Sequence, residues 1–172
     1  MLFRSVYFSE VVEALHGQGA TVDKFIGDAT LAVFGAPIHR GNQAEASAAI
    51  EAALEIETRL QNLNQTWEKQ GEPSWQQVIV LSFGTVISGN IGSNRRMDYT
   101  VIGDAVNTAS RLEAVAKQCQ RSIVMSQGVA DLVRDHWPLE DLGCFEIRGQ
   151  TAQHVYALVS VPNPLPAATE RS

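Results

Sequence analysis

Asn107 and Arg111 stand four residues apart in a stretch where Val106, Ala109, Leu112 and Val115 repeat at helical spacing. On one helix the two polar side chains project side by side from a single face. Asparagine brings an amide donor and acceptor, and arginine a permanently charged fork that matches phosphate oxygens. Such a pair can hold a ribose and stabilise negative charge developing on a phosphate; an isolated Asn/Arg pair also suits a merely solvated helix face. Asp28 poses the same choice. It lies in Gly27-Asp28-Ala29 between two short β-rich runs, the tip of a predicted hairpin. There a carboxylate is free to bind a hard cation, or simply to favour the turn. Lys24, four residues earlier on the first strand, is by itself an ordinary surface lysine.

The elements that must position these residues follow from periodicity. Phe8, Val11, Val12 and Leu15 predict a helix stopped by Gly17 and Gly19. The runs Thr21 to Ile26 and Thr30 to Phe34 form the hairpin. A long helix follows from Asn42 to about Glu68, its stripe of Ala46, Ile50, Ala53, Leu54, Leu60, Leu63 and Trp67 opposed by Glu51, Glu55, Glu57 and Arg59. Gly71-Glu72-Pro73 breaks it. Strands are predicted at Val78 to Phe83 and Val86 to Ile91, then a helix from Ala105 to about Lys117 with Asp104 as its cap. Ser122 to Met125 reads as a strand, Val129 to Arg134 as a short helix, and Phe145 to Arg148 with His154 to Val159 as a closing strand pair. Strands and helices mix without regular βαβ alternation, and tight turns join several strands. That predicts an α/β (α+β) domain, a largely antiparallel sheet covered by helices.

Composition narrows the classes. The 172 residues suit one domain, and 45% hydrophobic with 19% charged residues suits a folded one. A net charge of −6 argues against a nucleic-acid partner, whose backbone needs a basic face. A small polyphosphate stays possible, because metal ions can carry the positive charge. Cys119 and Cys144 show neither metal-ligand spacing nor a disulfide framework, so a reducing, cytoplasmic setting is expected. No apolar run is long enough to span a bilayer, Met1 to Ser5 is not a signal peptide, and no membrane contact is expected.

Three segments taken together are specific where each alone is not. They are Asp23-Lys24-Phe25-Ile26-Gly27-Asp28-Ala29, Gly84-Thr85-Val86-Ile87-Ser88-Gly89-Asn90-Ile91-Gly92-Ser93, and Tyr99-Thr100-Val101-Ile102-Gly103-Asp104-Ala105-Val106-Asn107-Thr108-Ala109-Ser110-Arg111-Leu112. In order and spacing they resemble the catalytic domain of class III adenylate and guanylate cyclases, bacterial members above all, from about Val6 to Val161. The expected organisation is a cyclase domain over residues 1–161 and a proline-rich tail over 162–172. The resemblance implies the nucleotide cyclase fold, an antiparallel sheet like the ferredoxin-like palm of polymerases. It gives Asp28 a metal-binding role, Lys24 and Thr100 the reading of the purine edge, Asn107 the ribose and Arg111 the transition-state charge. Arg148 falls where the family often has a lysine that reaches the triphosphate. Two Mg²⁺ or Mn²⁺ ions, a homodimer with shared sites, a signalling role and fusion to regulatory domains are implied as well.

Lysine is a donor only and threonine can donate or accept, a pair that suits adenine's ring acceptors and amino donor. Guanine calls for an acceptor opposite its N–H groups, and guanylate cyclases of the family commonly carry Glu at the lysine position. The expected substrate is therefore ATP, converted to cyclic AMP and pyrophosphate. The family's first strand, which carries its other metal aspartate, has no counterpart, and no Asp or Glu precedes Glu10. The chain is accordingly expected to be a fragment lacking that strand, inactive as it stands. A guanylate cyclase and a non-catalytic cyclase-like dimerisation or sensing module are the alternatives.

Overall fold

The structure, a computed structural model, describes residues 2–93, 96–146 and 151–159. The elements in chain order are α1 (Leu2–Gly17), β1 (Thr21–Ile26), β2 (Ala29–Val33), α2 (Asn42–Lys69), β3 (Ile79–Leu81), β4 (Ile87–Ser93), β5 (Arg96–Ile102), α3 (Asp104–Cys119), β6 (Ile123–Ser126), α4 (Gln127–Val133), β7 (Leu139–Phe145) and β8 (Gln153–Leu158).

A four-stranded sheet in the order β3-β6-β8-β7 carries the core, while β1-β2 and β4-β5 are separate antiparallel pairs. Among the described residues, all pairings are antiparallel except β3 with β6. Alternation along β6 sorts its side chains between two helical layers. Ile123 and Met125 pack with Ile50 and Ala53 of α2 and with Val129 and Val133 of α4. Val124 points the other way, onto Leu112 and Ala116 of α3. The second side of α2, Ala52 and Ile56, meets Val11, Ala14 and Leu15 of α1. Small residues let α2 lie close to both neighbours, and alanine is also the best helix former. Leu112 is fully buried, at 0% exposure. Leu112→Ala is expected to lower the unfolding free energy by ~2–5 kcal/mol, read as a shift of the urea midpoint; a shift near zero would mean that α3 does not pack on the sheet.

The fold class matches the expectation, with corrections in detail. β5 was not expected as a strand, yet Ile87↔Ile102 through Ser93↔Arg96 form a continuous ladder. The first strand of the closing pair begins earlier than expected, at Leu139, and its described part runs Leu139–Phe145; it pairs with β8 from Leu139↔Leu158 to Phe145↔Gln153. Residues 147–150 and 160–172, and with them Arg148 and the expected tail, lie outside the described residues. Asp104 is the first residue of α3, and the cap position is Gly103, with no side-chain cap bond.

Among the described residues, β2 pairs only with β1 and β3 only with β6. Between these two open edges runs a groove of about 1750 Å³, bordered by Leu31 and Val33 of β2, Ile79 and Leu81 of β3, and Ala53 and Ile56 of α2.

Candidate functional site

The pairing of β1 with β2 runs Thr21↔Val33, Val22↔Ala32 and then Lys24↔Leu31, so Asp23 is an extra residue in a β-bulge. In a regular strand neighbouring side chains point to opposite faces. The bulge lets both Asp23 and Lys24 reach Thr100 on β5. Lys24 Nζ donates to Thr100 Oγ1 at 2.6 Å, and Thr100 Oγ1 donates to Asp23 Oδ2 at 3.0 Å. Lys24 Nζ also lies 3.4 Å from Asp23 Oδ2; the Asp23 side chain is 4% exposed and that of Lys24 43%. Thr100 is buried. Lys24 and Thr100, expected as a pair, are thus joined, with a buried carboxylate behind them that sequence reasoning missed. Its signal is the register break, which exists only once β1 is paired. A second cavity, of about 170 Å³, lies beside Asp23 and is walled by Val33, Ala36, Pro37 and Val101.

β5 runs directly into α3 through Gly103, at φ +156°. A Cβ there would sit 2.7 Å from the carbonyl oxygen of Thr85 and 3.2 Å from Cα of Val86, a backbone approach that only glycine permits. This contact fixes the start of α3 against the segment leading into β4. Asn107 and Arg111 are both exposed on α3. Asp28 is exposed in the turn between β1 and β2, where Gly27 takes the φ of +64° that a side chain would resist.

The charge of Asp28 is felt nearby. Burial first, and then Asp28, raises the Tyr7 hydroxyl above its usual range. The Lys117 ammonium is raised mainly by its hydrogen bond to Glu113, with Asp28 a lesser contributor. Asp28 borders the large groove together with Val106, Ala109, Glu113 and Lys117. At 3.6 residues per turn the centre of that face lies roughly 135° round the helix from Asn107 and Arg111. Within one chain, therefore, Asp28 and the Asn/Arg pair lie beside different faces of α3.

Among the described residues no group of three His, Cys, Asp or Glu side chains gathers that could hold a metal ion. Asp28 offers one carboxylate, and a two-ion clamp does not fit that donor set. Cys119 and Cys144 are free. Among the described residues no helix is long and apolar enough to cross a membrane.

The domain is mixed α/β, with a Lys24–Thr100 hydrogen bond where β1 meets β5 and the polar pair Asn107 and Arg111 on the helix that follows. The comparisons make this specific. The model of the adenylate and guanylate cyclase catalytic domain matches residues 7–160, and the chain belongs to that family. Adenylate cyclase 1 of Rhizobium meliloti (strain 1021) is 35% identical over 155 residues, covering 90% of this chain and 23% of the relative. An adenylate cyclase of Anabaena cylindrica is 34% identical over 131 residues, covering 74% of this chain and 25% of the relative. The chain thus spans about a quarter of the length of these relatives. Among solved structures, the adenylyl cyclase CyaB from P. aeruginosa superposes with a TM-score of 0.82 at 30% identity, over 95% of this chain and 84% of that one. The guanylyl cyclase Cya2 gives 0.76 at 25% identity, over 94% and 81%. Both activities occur on this fold, so the base must be argued from the site.

Proposed function

We propose that the chain is the nucleotide-reading part of an adenylate cyclase, whose whole domain converts ATP to 3′,5′-cyclic AMP and pyrophosphate in intracellular signalling. The observation that carries this reading is the 2.6 Å hydrogen bond joining Lys24 to Thr100. Lysine gives donors to the ring nitrogens of adenine, and guanine in the same place sets its N1–H against a donor. Asn107 holds the ribose and Arg111 the phosphate charge, while Arg148 reaches the triphosphate. Asp28 contributes a metal carboxylate. A divalent ion, when bound, would supply positive charge to the phosphates, with Asp28 among its ligands.

Two copies of the chain complete the arrangement. Asp28 and the Asn107/Arg111 pair lie beside different faces of α3, so a twofold partner can present one set to the other and create two equivalent sites. Exposed apolar residues support such a contact: Phe25 and Ile26 on β1, and the cross-strand pair Ile87 and Ile102, are each between 47% and 65% exposed.

Equilibrium binding tests the reading. The purified chain is expected to bind ATP about tenfold or more tighter than GTP, the worth of one mismatched hydrogen-bonding group. Equal affinities would sink the adenylate reading. With ATP and Mg²⁺ or Mn²⁺ the chain alone is expected to give no cyclic AMP above a protein-free control, since one carboxylate does not make a two-ion site; clear turnover would show that Asp28 is sufficient.

A further inference from the structure

We infer that Asp23 is the specificity-setting residue of the purine site: it fixes the hydroxyl proton of Thr100 and so leaves Thr100 able only to accept from the base. The inference rests on the ATP reading above and adds to it the group that determines how Thr100 reads.

A threonine hydroxyl has one proton and two lone pairs, and left alone it rotates to suit either a donor or an acceptor. A free Thr100 could therefore donate to the O6 of guanine as readily as it accepts from the amino group of adenine. Here the hydroxyl is not free. Its proton goes to Asp23 Oδ2 at 3.0 Å, and one lone pair takes a proton from Lys24 at 2.6 Å. One lone pair is left, and it can only accept. Lys24 has three protons; one goes to Thr100, one faces Asp23 at 3.4 Å, and the third is left to donate. The site then shows a base one donor and one acceptor side by side, the complement of adenine's N1 and 6-amino group. Against guanine or hypoxanthine it sets a lone pair against O6 and a donor against N1–H.

Burial makes the arrangement hold. The Asp23 side chain is 4% exposed, so water competes little for its oxygen. Losing the Thr100 bond would leave a buried acceptor short of a partner, which is unfavourable. The lysine alone does not give this result, because donation to N1 leaves the 6-position unread. The carboxylate turns an ambivalent hydroxyl into a fixed acceptor.

The test uses the chain as it is, with ATP, GTP and inosine triphosphate competing against a fluorescent ATP analogue. Inosine triphosphate shares O6 and N1–H with GTP and lacks its 2-amino group, so it isolates the edge that Thr100 and Lys24 face. The expected result is that wild type disfavours inosine triphosphate against ATP by about tenfold or more. Asp23→Leu, which keeps the approximate shape and removes the acceptor, is expected to reduce that ratio at least about fivefold, and Asp23→Asn, whose amide oxygen still accepts, to keep it within about twofold. Three outcomes overturn the inference: inosine triphosphate bound as tightly as ATP by wild type, an unchanged ratio in Asp23→Leu, or an equal fall in Asp23→Asn, which would trace the effect to charge. The first is read on wild type and needs no variant to fold. Failure of the underlying reading looks different: wild type would then fail to prefer ATP over GTP at all.

Discussion

Lys24→Glu is expected to turn the chain from preferring ATP to preferring GTP, moving the ratio of the two affinities by ~10²-fold. The substitution replaces three donors with acceptors at the point where the base presents N1. For adenine that sets acceptor against acceptor; for guanine it supplies what N1–H and the 2-amino group need. Two such reversals, each of ~1.4 kcal/mol, give the stated factor. The lysine side chain is 43% exposed, so water softens the mismatch and a much larger change is not expected. The new carboxylate would also lie close to the buried Asp23, and like charges disfavour each other. Thermal melting recorded beside the binding titration separates a loss of fold from a change of preference. A folded variant that still favours ATP as wild type does would mean that Lys24 does not face the base.

The second large effect concerns the support of this site. Glu45, in the first turn of α2, is 6% exposed and accepts from Arg40 three times: from the backbone N–H at 2.9 Å, from Nε at 3.0 Å and from an η-nitrogen at 2.7 Å. Arg40 also donates to the carbonyl of Gln18. The segment held in this way contains Ala36 and Pro37, which wall the cavity beside Asp23, and Thr21 of β1 donates to the carbonyl of Ala36 at 2.6 Å. Glu45→Gln is expected to reduce stability by roughly 2–3 kcal/mol at neutral pH, since it weakens charge-assisted bonds to a buried acceptor.

The effect should depend on pH with a definite sign. The hydrogen bond from Arg40 holds the Glu45 carboxyl below the usual glutamate range, against burial, which pushes it up. A group whose folded value is depressed contributes stability above its unfolded value and loses it as pH falls through the lowered folded value. The difference in urea midpoint between wild type and Glu45→Gln should therefore be full at neutral pH and shrink in acid, starting at the ordinary glutamate range. A difference that stays constant through that range would exclude the linkage.

Much of this could be seen in the residues before any pairing was known. α1, α2 and α3 follow from 3.6-residue stripes, because burial of one face dictates the spacing, and the first hairpin from two β-rich runs about the Gly27 turn. Lys24 and Thr100, far apart in the chain, could be paired only through resemblance, since nothing local brings β1 to β5. β5 itself stayed hidden. Arg96, Asp98 and Thr100 do alternate with Met97, Tyr99 and Val101, but so short a run is decided by its ladder with β4. The closing strand was misplaced for a like reason: Glu140 and Asp141 look like loop residues, but they stand opposite Ala157 and Tyr156 of β8. Asp23 was in view as a letter and invisible as a function, because its direction is set by strand register. Asp104 looked like a cap, and the close approach of Gly103 to Thr85 took that position instead.

The bulge in β1 has a further consequence for how nucleotide choice is written into the chain. Side chains on an ordinary strand alternate, so an Asp-Lys pair on a β1 without the bulge would keep both letters, and Thr100 with them, while turning the two side chains to opposite faces. The lysine and an acidic neighbour could no longer both face β5. On the proposed reading, base preference would then be stored in the spacing of one edge as much as in the identity of its residues. A relative that keeps the lysine and threonine but lacks the inserted position would share the motif and not the discrimination.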